Sequence, residues 1–108
     1  MNTMPPPVTS YIEATNANDA QGVAAAFLPD GAVHDEGRLH RGQAEIAAWA
    51  VDTARKYDAT MAPRRLEPTP DGCTLHAEVS GNFPGSPVTL AFRFALRAGA
   101  IASLEIAP

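Results

Sequence analysis

The stretch Val88-Thr89-Leu90-Ala91-Phe92-Arg93-Phe94-Ala95-Leu96-Arg97 sets the period of the second half of the chain. Val88, Leu90, Phe92, Phe94 and Leu96 fall on one side, with Thr89, Arg93 and Arg97 opposite, which is the two-residue repeat of a strand with one buried face. Working outward, Thr74 to Val79 repeats the pattern, with Leu75, Ala77 and Val79 on one face and Thr74, His76 and Glu78 on the other. Ala100 to Ala107 supplies a last strand, and Asp71-Gly72 and Ala98-Gly99 are turn signals. Tyr57 to Glu67 reads as another strand; Pro63, Pro68 and Pro70 predict fraying or a bulge at its end.

Upstream the period changes to that of a helix. Met4-Pro5-Pro6-Pro7 is a stiff lead-in, with Pro7 suited to a helix's first turn. Residues 1–7 are taken as a flexible lead-in to a single domain over 1–108. Val8, Tyr11, Ile12 and Thr15 recur at helical spacing, and Asn16-Ala17-Asn18-Asp19 breaks the run. Asn18 with Gln21 resembles a capping box, so a second helix starts there. Val23, Ala24, Phe27 and Leu28 form its buried face, and Pro29-Asp30-Gly31 ends it. Residues 32–36 read as a short strand, and Gly37 to Gly42 as a polar loop. Gly42 caps a third helix running to about Lys56, whose stripe is Ile46, Trp49, Ala50 and Thr53. Helices first and strands afterwards is an α+β layout with an antiparallel sheet.

The chain has 108 residues, enough for one domain, and its hydrophobic share of 45% builds a core without staples. A net charge of −4, with no basic cluster longer than Arg64-Arg65, argues against nucleic-acid or anionic-membrane partners. No apolar stretch approaches a bilayer span. The first residues lack the pattern of a secretory signal, and a single cysteine, Cys73, cannot form an internal disulfide, so a reducing cytoplasm is the expected location.

The order of elements, together with Tyr11-Ile12-Glu13-Ala14, Asn18-Asp19, Phe27-Leu28-Pro29-Asp30-Gly31-Ala32-Val33-His34-Asp35, Arg41-Gly42 and Phe92-Arg93-Phe94, resembles the nuclear-transport-factor-2-like superfamily. That group includes ketosteroid isomerases and SnoaL-type polyketide cyclases. The resemblance runs from Val8 over nearly the whole chain. It implies a cone-shaped, cystatin-like fold: N-terminal helices packed on a curved antiparallel sheet around an apolar pocket. In the isomerase pattern a tyrosine on the first helix donates to the substrate oxygen, and an aspartate after the first short strand shuttles the proton. Tyr11 and Asp35 match those two positions. The second donor, a protonated aspartic acid two residues before the Phe-Arg-Phe run, is replaced by Leu90. Motifs of this kind specify fold well and activity poorly.

Asp35 in an apolar pocket would be a base tuned towards neutral pH; the alternative is a strand-end carboxylate paired with Arg38 or Arg41. Tyr11 on an inward stripe is either a hydrogen-bond donor to a ligand or a core residue whose hydroxyl the protein satisfies. Trp49, Phe27, Leu90 and Phe92 either wall a small apolar ligand or fill the core. His34, Asp35 and Glu36 alternate faces on a strand and do not share one ion, so no metal is expected, and the proton chemistry needs no cofactor. Cys73 reads as a buried structural residue. Two functions follow: an isomerase or cyclase acting on an apolar carbonyl compound, or a non-catalytic ligand-binding or dimerisation module. A homodimer on the bare sheet face is expected in either case.

Overall fold

A computed structural model describes residues 4–108. Three helices, α1 (Pro6–Asn16), α2 (Ala20–Ala25) and α3 (Gln43–Tyr57), accompany six strands: β1 (Phe27–Asp35), β2 (Arg38–Arg41), β3 (Thr60–Thr69), β4 (Gly72–Ser80), β5 (Val88–Arg97) and β6 (Ala100–Ala107). The strands form one curved sheet in the order β2-β1-β6-β5-β4-β3. All pairs are antiparallel except β1 with β6, which run parallel. This is the α+β architecture that the helical and alternating periods imply.

The lead-in is shorter than expected. Pro6 and Pro7 are already in α1, where proline's missing N–H costs nothing, and Met4 packs against the core. Met1 to Thr3 of that expected lead-in lie outside the described residues. The α1 stripe buries Val8, Tyr11, Ile12 and Ala14. Asn16 does more than break the helix. Its Nδ2 donates to the Met61 carbonyl at 3.0 Å, and the Met61 N–H donates to its Oδ1 at 2.8 Å, tying the end of α1 to β3.

The second helix differs from expectation at both ends. Its cap is Asp19, whose carboxylate accepts from the Gly22 N–H at 3.0 Å, and not Asn18. It stops at Ala25, so Phe27 and Leu28 belong to β1, and Pro29-Asp30-Gly31 lies inside that strand as an irregularity in its pairing with β6. The expected loop from Gly37 to Gly42 contains β2 instead. Glu36 (φ 53°) and Gly37 (φ 75°) make a tight turn that pairs Asp35 with Arg38.

Gly42 caps α3 as the sequence suggests. Glu45 reaches back to accept from the Arg41 N–H at 2.9 Å, and Gln43 donates to the Phe27 carbonyl at 2.9 Å, fixing α3 to β1. The bulge expected from the prolines in β3 falls between Pro63 and Arg65. This edge strand can carry prolines without losing an interior ladder. Between helices and sheet lies a core including Val8, Phe27, Val33, Ile46, Leu75, Phe94, Ile101 and Leu104, all almost fully buried.

Asn16→Ala leaves both main-chain groups of Met61 without their partner. The expected loss is about 1–3 kcal/mol in chemical denaturation.

Candidate active site

The helices do not close completely on the sheet. Between them lies a cavity of about 450 Å³. Tyr11, Ala14 and Thr15 of α1 and Val23 of α2 line one side, and Trp49, Ala50, Thr53 and Tyr57 of α3 line another. The sheet contributes Met61, Val79, Leu90, Phe92 and Ile106, with Phe83 and Val88 on the β4–β5 side. Asp35 enters at the end of β1, and Glu36 follows it in the turn.

Tyr11, Asp35, Trp49, Leu90 and Phe92 therefore meet at one cavity, as the inward stripes require. Phe27 does not line it. It is 2% exposed and packs edge-on behind Tyr11, with ring centroids 6.3 Å apart. Phe94 approaches the same tyrosine at 5.5 Å, again edge-on, so the Tyr11 ring is held by its neighbours.

Asp35 is half-buried, and its partner is neither Arg38 nor Arg41. The Trp49 indole Nε1–H donates to its Oδ2 at 3.0 Å. Burial pushes the Asp35 carboxyl above the usual carboxylate range, and the adjacent Glu36 adds to this. The Trp49 hydrogen bond, the nearby His40 and the Glu36 backbone N–H oppose it. The His40 ring lies against Trp49 with centroids 6.1 Å apart, so β2 braces the tryptophan that holds the aspartate. The Tyr11 hydroxyl is raised far above its ordinary value, first by burial and then by Asp35, while a hydrogen bond with Thr15 opposes the shift. It remains protonated at any physiological pH and is a donor throughout.

Several lining residues escape sequence reading. Tyr57 donates to both carboxylate oxygens of Glu36 at 3.2 Å, and its ring meets Phe83 edge-on at 6.0 Å. Trp49, Thr53 and Tyr57 are spaced by four on α3, so extending the stripe by one turn would have found Tyr57. Glu36 was expected to share a face with His34. The turn carries it back to the cavity, whereas His34 lies on the sheet's outer face in a groove with Arg93, Ser103 and Glu105.

The three histidines are dispersed. His40 is at Trp49, His76 bonds Glu67 at 2.7 Å, and His34 faces outward. Among the described residues no three His, Cys, Asp or Glu side chains gather as metal ligands. Cys73 is 3% exposed, and burial pushes its thiol up, the opposite of an activated thiolate. No helix among the described residues is long and apolar enough to cross a membrane.

The raised Asp35 carboxyl has a consequence for stability. The folded state binds the Asp35 proton more tightly than the unfolded chain, so between the ordinary aspartate value and the raised one it holds more protons. Asp35 therefore weakens the fold as pH rises through that window, and its cost is fully present above the folded-state value. Asp35→Asn is expected to remove this contribution: urea unfolding across a pH series should show the variant gaining on wild type as pH rises. A variant that gains nothing with pH would contradict the placement of Asp35 in a desolvated site.

A family model described as a SnoaL-like domain matches residues 8–104. Among solved structures, a candidate polyketide cyclase from Sinorhizobium meliloti is similar at 38% identity and a TM-score of 0.91, covering 95% of this chain and 94% of that one. A hypothetical protein with a ketosteroid isomerase-like fold from Catenulispora acidiphila, crystallised with trimethylamine, is 21% identical with a TM-score of 0.86, covering 98% and 87%. The Orange Carotenoid Protein of Anabaena (Nostoc) sp. PCC 7120, binding canthaxanthin, is 24% identical with a TM-score of 0.83, covering 98% of this chain and 36% of that one. These last two likenesses concern the fold alone. A search of the curated proteins found no match. With nearly its whole length matched by the family model, the chain belongs to the SnoaL-like domain family.

Proposed function

We propose that this protein is a cofactor-free acid–base catalyst acting on an apolar carbonyl compound, with Asp35 as the base and Tyr11 as the oxyanion donor. The observation that carries the reading is the half-buried Asp35 carboxylate on an apolar cavity, held by a neutral indole donor at 3.0 Å and not by a cation. An arginine partner would hold the carboxyl low and make it a poor base. A neutral donor orients it while burial keeps its proton affinity up.

The chemistry begins with Asp35 taking a proton from the carbon next to a carbonyl. The C–H electron pair forms the enolate, whose oxygen accepts a hydrogen bond from Tyr11. In an isomerase the proton returns from Asp35 to a different carbon of the same conjugated system. In a cyclase the enolate carbon attacks a second carbonyl of the same molecule, whose C=O pair moves to oxygen, and the new alkoxide takes up the proton that Asp35 holds. The similarity to a candidate polyketide cyclase at 38% identity supports the second course, and both share the first step.

One observation favours a second reading. Leu90, at the position of the missing donor, does line the cavity, leaving Tyr11 to meet a developing oxyanion without that partner. A binding module would need no such donor, and the canthaxanthin bound by the Orange Carotenoid Protein illustrates an apolar cargo in a related fold. For either reading we place the protein in the cytoplasm, as one domain. We also propose a homodimer through the outer sheet face, where Arg93 pairs with Glu105 at 2.9 Å and both are about half exposed. Sedimentation showing only monomer at micromolar concentrations would reject the dimer.

Turnover of a simple β,γ-unsaturated ketone is expected to rise with pH through the folded-state pKa of Asp35, because only the ionised form is a base. Asp35→Asn should abolish turnover while keeping ligand binding. Tyr11→Phe should slow it about 10²-fold, the scale for one lost oxyanion donor. If wild type binds such ketones without turnover and Asp35→Asn binds them equally, the binding module is the correct reading.

A further inference from the structure

The charges around the cavity are of one sign. Its ionisable carboxylates are Asp19 at the rim and Asp35 and Glu36 at the end of β1; among the described residues no Lys, Arg or His lines it. Four of the eight Lys and Arg residues are engaged elsewhere, in exposed pairs: Arg64 with Glu78, Arg65 with Glu67, Arg93 with Glu105 and Arg97 with Asp30. Two basic side chains lie against aromatic rings that line it. His40 is on Trp49, and Lys56 Nζ is 5.8 Å from the centre of the Tyr57 ring. Neither Asp35 nor Glu36 has a Lys or Arg partner; their donors are the neutral Trp49 and Tyr57 side chains.

The rest of the lining is apolar and aromatic, with Tyr11, Trp49, Tyr57, Phe83 and Phe92 around the same space. A cavity with low-dielectric walls concentrates the field of its charges. Aromatic faces add attraction for a cation and none for an anion. A carboxylate or phosphate ligand would enter without a positive partner and against this field, whereas a protonated amine would find carboxylates that have no cation of their own.

We propose that the ligand of this cavity is an apolar molecule carrying one positive charge, such as a protonated aryl- or alkylamine, bound with its ammonium at Asp35 and Glu36 and its apolar body against the aromatic walls. The proposal rests on the reading of the cavity as a ligand site, and not on proton transfer there.

The test uses three indole compounds of similar shape on the full chain: tryptamine (cation), tryptophol (neutral) and indole-3-acetate (anion). Affinity is measured by calorimetry near neutral pH, with amide chemical shifts reporting the place of binding. Tryptamine should bind on the order of tenfold more tightly than tryptophol, with indole-3-acetate weakest. The preference should shrink between about 0.01 M and 1 M salt, as the screening length falls from roughly 30 to 3 Å. It should vanish in Asp35→Asn/Glu36→Gln, while tryptophol binding is kept, which shows that the variant is folded. Equal affinity of tryptamine and tryptophol, or tighter indole-3-acetate, overturns the charge preference and leaves the cavity as a ligand site. Absence of shifts at cavity residues with all three compounds overturns both.

Discussion

Strand β1 enters the sheet by lying parallel to β6, with Val33 opposite Leu104 and His34 opposite Glu105. This pairing joins the helical first half of the chain to the strands of the second, and the candidate site depends on it. It brings the end of β1 alongside the end of β6, so Asp35 comes beside Ile106, which lines the same cavity. The Ile101 N–H donates to the Ala26 carbonyl at 3.0 Å just before β1 begins, which extends the junction to the end of α2. From β1 the chain turns through β2 into α3, and Gln43 fastens that helix back to Phe27. Trp49 is thereby delivered to Asp35. A one-residue slip of β1 against β6 would turn Asp35 outward and His34 inward, so the buried Val33 and the cavity-lining Asp35 share one register.

Within that frame the electrostatics of Asp35 are a compromise. Burial raises its proton affinity, and the Trp49 hydrogen bond, with smaller help from His40 and the Glu36 backbone N–H, limits the rise. Full burial without a donor would leave it protonated, and an ion pair with an arginine would leave it a weak base. Trp49 can serve because its N–H reaches the carboxylate while the rest of the indole lines the apolar cavity, and His40 lies against the ring. Tyr11 is treated differently. Its ring is wedged among Phe27, Phe92 and Phe94, and burial with the charge of Asp35 keeps its proton on. The proposed base and the proposed donor are thus set apart by their surroundings.

Much of the fold was legible because its elements carry strong periods. The two-residue alternation of β4 and β5 survives in the structure, with Cys73, Leu75 and Ala77 buried on one side of β4. The meeting of Tyr11, Asp35 and Trp49 was legible from inward stripes and from resemblance. The region between Asn18 and Gly42 was read less well, for identifiable reasons. Phe27 and Leu28 continue a helical spacing, yet their burial is satisfied equally by a strand. The pairing partner that decides the matter, β6, is more than 70 residues away in sequence. The β1–β2 turn was missed because its first residue is Glu36, which at φ 53° takes a conformation usually given to Asn, Asp or Gly. Glu36 and Tyr57 were missed with it, since their contact exists only once that turn and the last turn of α3 are in place.

What the fold leaves open to variation is the wall and not the polar pair. Asp35 comes from a strand end and Tyr11 from a helix; Tyr11 is packed into the core, and Asp35 is held by Trp49, which packs against it. Leu90, Val79, Phe83 and Val88 lie on the β4–β5 side, where Leu90 and Val79 are only partly buried. Substitution there changes the shape and polarity offered to a ligand without dismantling the core around Leu104 and Ile101. Leu90 is such a change relative to the isomerase pattern: it stands where that pattern has a second polar donor, and it leaves Asp35 in place. In the proposed function, a substrate whose enolate is served by one donor, or a ligand held chiefly by apolar contact, suits that wall better than a steroid-type isomerisation. In the proposed function, then, the apolar side chains standing opposite Asp35 matter as much as Asp35 itself.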